Sequence, residues 1–411
     1  MVDTLNNETF YGLLLALSAF FLATFLTPVY TYFAYKYKCW KKQKKETLTG
    51  EALPIMTKLH AKKFARHFPT MAGIIGVATV LIVTCICNLN REQTWLPLAG
   101  FIGGSIVGFI DDIINVFGKG KGAAGLRAPI KFAMITIVGI WLGWWFACKL
   151  GWASIEVPFL GDWEIGAVGM MLLFTFAVVA TSNAVNISDG LDGLAGGLAM
   201  IAYGAYGIIA LFQGQWVLTG FCLTVAGWLL SYIWFNVPPA RFMMGDTGSF
   251  ALGAGLGVVA MMTNAFFLLP IIGVLFVVEA GSSLIQIFWK KVFHKKLLIS
   301  APIHHHLEAK GWGEAKIVMR FWVIAGVFAI IGVFLAIQGG IVSDTQMKKV
   351  NDFVHGSEES AMVNSDENLL TPALTCGLAF AEQKITLPEQ LEPLVLLNNN
   401  VIAILPEQLH A

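Results

Sequence analysis

The stretch NAVNISDGLDGLAGG, residues 183–197, places Asn183, Asn186, Asp189 and Asp192 at intervals of three between two long apolar runs. Side chains three apart share a helical face. Acids and amides beside hydrocarbon cost free energy, which makes them functional candidates by default. Three other segments carry groups of the same kind. GFIDDIINVFGKGKG holds Asp111 and Asp112, FNVPPARFMMGDTGS holds Asn236 and Asp246, and APIHHHLEAKGWGE holds His304, His305 and His306. Carboxylates brought together repel unless a cation neutralises them. An oxygen-only donor set suits Mg²⁺, which binds through one or two carboxylates and completes its shell with substrate phosphates. Gly190, Gly193, Gly245 and Gly248 flank the acids, where glycine lets backbone approach a phosphate and helix N-termini favour anions. Lys119, Lys131 and the histidines add positive charge. The chemistry this set fits is phosphoryl transfer from a Mg²⁺-bound diphosphate, in which positioning and charge neutralisation carry most of the catalysis.

Each segment alone has a plainer reading. Two adjacent acids can end a helix in water, and Asp246 in GDTGS can cap a helix through its free backbone N–H groups. Three histidines can be a surface tract. The argument for a site rests on where the elements put the segments.

The chain of 411 residues is 56% hydrophobic and 13% charged, about half the charge of an ordinary soluble domain. Apolar runs long enough to cross a bilayer fall at 10–34, 70–88, 95–117, 128–148, 166–185, 191–213, 216–235, 247–265, 266–289 and 318–339. An all-α polytopic membrane protein of about ten transmembrane helices is therefore expected over 1–340. Residues 341–411 form a polar, acidic C-terminal tail, expected to be weakly structured, with LPEQL twice. The first apolar run is too long for a cleavable signal.

Between the first two runs, residues 36–66 carry ten Lys or Arg, and the loop after 289 carries Lys290, Lys291, Lys295 and Lys296. Glu156, Asp162 and Glu164 mark the segment after the fourth run. Positive loops stay cytoplasmic, which puts both termini outside and all four polar segments at the cytoplasmic ends of spans. That face is the expected active-site cleft. The six cysteines include no close pair, so neither disulfides nor a zinc site is expected. Nothing points to a nucleic-acid partner. A secondary transporter is the rival class, but its acids would lie near mid-span, and no repeat relates the two halves.

NAVNISDGLDGLAGG, FMMGDTGSFALG, GFIDD and above all APIHHHLE followed by GW and RFW resemble the phospho-N-acetylmuramoyl-pentapeptide-transferases, a family of polyprenyl-phosphate N-acetylhexosamine-1-phosphate transferases. The likeness covers roughly residues 10–340 and implies a Mg²⁺-dependent homodimer of the bacterial plasma membrane with a cytoplasmic active site. The implied reaction joins UDP-MurNAc-pentapeptide to undecaprenyl phosphate in the bilayer, giving lipid I and UMP, the first membrane step of peptidoglycan synthesis. A related UDP-N-acetylglucosamine transferase is the alternative within the class. The resemblance assigns catalytic roles to Asp111, Asp112, Asp246 and His304, with Asp246 and Asp112 on the metal. Asp112 or its neighbour would deprotonate the lipid phosphate or help hold metal and diphosphate. Substrate contacts fall to Lys63, Thr70, Lys131, Asn186, Asp189, Gly190, Leu191, Asp192, Asn236, Met243, Ser249, Gln286, His305 and His306. The chain departs from the family pattern in HAKKFARHFPTMAG, where Lys62 and Arg66 rival Lys63. It also has Asn115 in place of a lysine and Met243 in place of a phenylalanine before MGD.

Overall fold

The computed structural model describes residues 2–40, 69–118 and 125–342. Lys63 with its rivals Lys62 and Arg66, Lys119, and the tail from 343 onward lie outside these. The described chain is helical apart from one hairpin. Its main helices are α1 Val2–Lys36, α2 Gly73–Cys87, α3 Trp95–Phe117, α4 Ala128–Trp144, α5 Gly166–Ser188, α6 Leu194–Phe212, α7 Trp216–Asn236, α8 Gly245–Met262, α9 Val274–Phe293, α10 Ile303–Ala309 and α11 Glu314–Gln338, with short helical turns at Trp145–Lys149, Phe266–Leu268 and Leu269–Ile272. Strands β1 (Ser154–Val157) and β2 (Gly161–Glu164) pair antiparallel between α4 and α5.

Seven helices are long and apolar enough to cross a membrane, or eight spans if α9 and the preceding Phe266–Ile272, bent by 82°, count as one. The expectation of ten exceeds this for a physical reason. Helix α2 has only 15 residues, short of the roughly 20 a bilayer needs. Helix α8 is rich in glycine and begins with Gly-Asp-Thr-Gly-Ser, yet all 18 of its residues are buried. A helix enclosed by other helices needs no lipid-facing bulk, so hydropathy alone misjudges it. By contrast, Phe21, Ile137, Val323 and Ile330 are exposed on the outer helices, as a lipid-facing surface requires.

Helix α8 is the axis of the fold and packs most extensively on α3 and α5. Small residues let the backbones meet. A Cβ on Gly108 of α3 would lie 2.0 Å from the carbonyl oxygen of Asp246, and one on Gly104 would lie 2.3 Å from that of Phe250. On a neighbouring face of α8, a Cβ on Gly253 would stand 2.4 Å from the Cα of Ser182 on α5. This contact at Gly108 sets Asp111 and Asp112, one turn onward, against the start of α8. Backbone cannot rotate aside as a side chain can, so Gly108→Ala must move the two helices apart. The expected cost is about 1–3 kcal/mol, read as a lower midpoint of thermal unfolding in detergent. An unchanged midpoint would mean the helices are not in such close contact.

At the far end of the bundle the turns are closed by amides. Asn264 Oδ1 accepts from the backbone N–H of Glu156 in β1 at 3.0 Å, and Gln213 Nε2 donates to the carbonyls of Thr263 (2.7 Å) and Ile341 (3.0 Å). Cys148 is disulfide-bonded, which corrects the expectation of no disulfide, while Cys39, Cys85, Cys87 and Cys222 are free.

Candidate active site

Asp111 and Asp112 lie on the buried face of α3 toward its C-terminal end, and Asp246 is in the first turn of α8. All three are buried, and each offers one carboxylate oxygen within 4.8 Å of the others. Lys131, in the first turn of α4, joins them. Its Nζ lies 2.8 Å from Asp111 Oδ2 and 2.5 Å from Asp246 Oδ2, with the Phe250 ring centroid 5.9 Å away. The backbone N–H of Leu126 donates to Asp111 Oδ1 at 2.5 Å. Three carboxylates and one ammonium leave two negative charges among these four groups. Burial makes that imbalance costly, and a hard divalent cation with oxygen ligands removes it. The donor set therefore fits Mg²⁺.

The two neighbouring aspartates have different surroundings. Asp112 Oδ1 accepts from the backbone N–H of Asp246 (3.1 Å), while its Oδ2 accepts from the Thr247 N–H (2.9 Å) and hydroxyl (2.7 Å). Asp112 is thus the cap of α8, supplied from another helix, where its charge also meets the positive end of the helix dipole. Asp246, a local capping candidate by sequence, lies within the first turn of α8 and meets Lys131. Gly245 adopts φ +75°, and a Cβ there would come within 2.7 Å of Asp112 Oδ2 and 3.1 Å of Thr70 Oγ1.

Thr70 is buried beside this turn, and among the described residues its hydroxyl has no hydrogen-bond partner. Its segment is fixed by backbone pairing. Met243 N–H donates to Pro69 O at 2.9 Å, Ala72 N–H to Met243 O at 3.0 Å and Gly73 N–H to Met244 O at 2.8 Å. Met243 is half-buried here. Its neighbour Phe242 is buried among Tyr30, Phe235 and Tyr232, with ring centroids 5.9–6.1 Å away.

The stretch 183–192 does not form the single helical stripe that its spacing suggests. Helix α5 ends at Ser188, Asp189 is its C-cap at ψ 48°, and Gly193 takes φ +82° before α6 begins. Asn183 donates to the Val179 carbonyl of its own helix at 2.8 Å. Asn186 turns to α8 and donates to Ser249 Oγ at 2.9 Å, and Ser249 donates to Gly245 O at 3.1 Å. Asp189 and Gly190 are half-buried, whereas Leu191 and Asp192 are buried. Asp192 Oδ2 accepts from the Ala240 N–H at 3.0 Å, and the Asp192 N–H donates to Glu314 Oε1 at 2.6 Å. Asn236 Oδ1 accepts from the Gly193 N–H at 2.7 Å, and its Nδ2 donates to Phe242 O at 2.7 Å. Asp192 and Asn236 therefore tie this turn to the loop between α7 and α8.

The three histidines occupy the first turns of α10 and face different partners. His304, fully buried, sets Nδ1 2.7 Å from Glu279 Oε2. Its Nε2 would stand 2.3 Å from a Cβ on Gly190, so the ring packs on the bare backbone of the 189–192 turn. His305 Nδ1 lies 2.7 Å from Glu308 Oε2, and His306 Nδ1 accepts from the Ile299 N–H at 3.2 Å. Gln286 organises the preceding loop. Its Oε1 accepts from the N–H groups of Leu297 (3.1 Å) and Leu298 (2.9 Å), and its Nε2 donates to Leu298 O at 3.1 Å. The residues that sequence reasoning missed are Glu279 and Glu314. Glu279 was discoverable as a lone acid in the apolar run 266–289.

These contacts link the α3 end, the α4 start, the 189–193 turn, the α8 start and the histidine helix into one polar region at one end of the bundle. Residues 94–264 match the Glycosyl transferase family 4 profile. Three relatives named phospho-N-acetylmuramoyl-pentapeptide-transferase cover most of both chains. The one from Chloroflexus aggregans is 35% identical over 351 residues, spanning 82% of this chain and 92% of the relative. That from Geobacillus thermodenitrificans is 38% identical over 68% of this chain and 86% of its own. That from Lactobacillus helveticus is 37% identical over 69% and 87%. At such identity and coverage, the chain belongs to the phospho-N-acetylmuramoyl-pentapeptide-transferase family.

Proposed function

We propose that the chain transfers phospho-MurNAc-pentapeptide from UDP-MurNAc-pentapeptide to undecaprenyl phosphate, giving lipid I and UMP. The observation that carries the site reading is the meeting of Asp111, Asp112 and Asp246 within 4.8 Å, with Lys131 bonded to two of them. Asp111 and Asp246 are the carboxylates for Mg²⁺, with Asp112 available through its remaining lone pairs. When bound, Mg²⁺ supplies positive charge to the diphosphate of the sugar nucleotide.

The chain's own residues do the rest. Lys131 holds phosphate oxygens and balances the carboxylates. Asp112 accepts three hydrogen bonds from the start of α8, which supports a holding role for it over deprotonation of the lipid phosphate. The 189–192 turn, with Asn186 and Ser249 beside it, cradles the nucleotide, and His304 stands against that turn. Thr70, whose buried hydroxyl has no partner among the described residues, is offered to substrate. An oxygen of the lipid phosphate attacks the β-phosphorus, the bond from that phosphorus to the bridging oxygen breaks, and UMP leaves.

The topology belongs to the same proposal. Helix α8 and its bonded neighbours alternate between the polar end and the amide-closed end, which supports ten passes with α2, α8 and the bent pair included. The lysine-rich loops of the sequence support a site at the cytoplasmic face of a bacterial plasma membrane, with both termini outside. The functional unit is a homodimer.

The test is UMP release by the purified protein supplied with UDP-MurNAc-pentapeptide, undecaprenyl phosphate and Mg²⁺, repeated with EDTA and with UDP-N-acetylglucosamine. The expected outcome is UMP only from the muramyl substrate and only without chelator. Release from UDP-N-acetylglucosamine alone would reassign the sugar. Release undiminished by EDTA would remove the metal.

A further inference from the structure

Helix α9 carries one acid, Glu279, fully buried in an apolar segment. Its Oε2 lies 2.7 Å from Nδ1 of His304, itself fully buried. The second nitrogen of that ring points away from Glu279 and onto Gly190, where a Cβ would be only 2.3 Å from Nε2. Two further bonds fix the arrangement. Ser282 Oγ donates to the Glu279 carbonyl at 2.8 Å and accepts from the Ile303 N–H at 3.0 Å, tying the first turn of α10 to α9. A carboxylate on one imidazole nitrogen keeps the proton there and fixes the orientation of the ring, which sets what the other nitrogen presents. The same carboxylate stabilises the imidazolium when the ring takes a second proton.

We infer that Glu279 is a positioning residue that acts through His304. It holds the imidazole so that Nε2 serves the nucleotide diphosphate at the Gly190 turn, and it favours the protonated ring as negative charge moves to the leaving UMP. This rests on the placement of His304 in the active site proposed above. Nothing about Glu279 requires it to touch substrate. Its side chain lies behind the ring, on the side away from the Gly190 turn.

A double-mutant cycle tests the inference with UMP release as the readout. Glu279→Gln keeps the size and one acceptor oxygen but loses the charge, and it should lower kcat by about 10- to 100-fold with a smaller change in KM. It should also shift the limb of the pH–rate profile that reports the histidine, and Glu279→Asp should recover part of the rate. In a His304→Ala background, adding Glu279→Gln should cost nothing further. If Glu279→Gln lowered the rate by the same factor with and without His304, the action through that ring would be refuted. A wild-type kcat and pH profile in Glu279→Gln would refute it as well. Should the Gln variant not extract as a monodisperse protein, Glu279→Asp with His304→Ala completes the same cycle. Full activity in His304→Ala alone would instead remove His304 from the proposed site, a separate failure.

Discussion

Asp246→Asn is expected to abolish turnover at saturating Mg²⁺, by about 10³-fold or more in kcat, while the protein folds and melts normally. The reason lies in what each oxygen of the residue does. Its carboxylate faces Lys131 at 2.5 Å, a donor that an amide oxygen can still accept from, so the fold leans little on its charge. The cation site does, because an amide lowers the charge of the cluster by one and replaces a ligand oxygen with a donor. Near-normal turnover in this variant would take Asp246 out of the metal role.

The second large effect separates the neighbouring acids by stability instead of rate. Asp112→Ala strands the backbone N–H groups of Asp246 and Thr247 and the Thr247 hydroxyl in a buried place. Each unsatisfied group costs about 1–3 kcal/mol, and loss of the negative charge at the helix start adds up to about 2 kcal/mol. Asp112→Ala should therefore melt well below the parent and lose activity with its fold. Asp111→Asn keeps an oxygen to accept from Leu126 and touches no cap, so it should melt near the parent yet turn over slowly. Thermal unfolding and UMP release on both variants decide the matter. The reverse order of stabilities would contradict the capping role of Asp112.

What was legible in the sequence was mainly residue type and chain end. Asp111, Asp112, Asp246 and Lys131 were readable because several polar segments fall at the same ends of apolar runs, although each alone has a plainer reading, and the structure brings them together. The division of labour between Asp111 and Asp112 was not readable. It depends on which neighbour meets α8, and that is set by the approach at Gly108. The stripe of Asn183, Asn186, Asp189 and Asp192 was misread, although the correcting signal was present. Gly190 and Gly193 are the residues with which helices stop, and Gly193 takes φ +82°. Asp192 consequently faces Ala240 and Glu314 instead of joining the acidic cluster. Apolar content located the outer helices well. It also marked 247–265, most of α8, although that helix is enclosed by others and its residues are buried.

The polar residues of the histidine loop were visible as a motif, but their geometry was not. Three consecutive histidines on one short helix point in different directions, and their partners come from α9, from the 189–192 turn and from within the loop. Gln286, expected at the substrate, is committed to three backbone groups of residues 297 and 298. A motif identifies such residues as a set, and only tertiary contacts distribute them.

The central claim is that the ends of α3 and α8 together hold a divalent cation, and binding of Mn²⁺ as a paramagnetic stand-in tests it most directly. Electron paramagnetic resonance on the purified protein with UDP-MurNAc-pentapeptide should show one immobilised ion per chain, lost in Asp246→Asn and displaced by Mg²⁺. Equal immobilisation of Mn²⁺ by the parent and by Asp246→Asn would contradict the account.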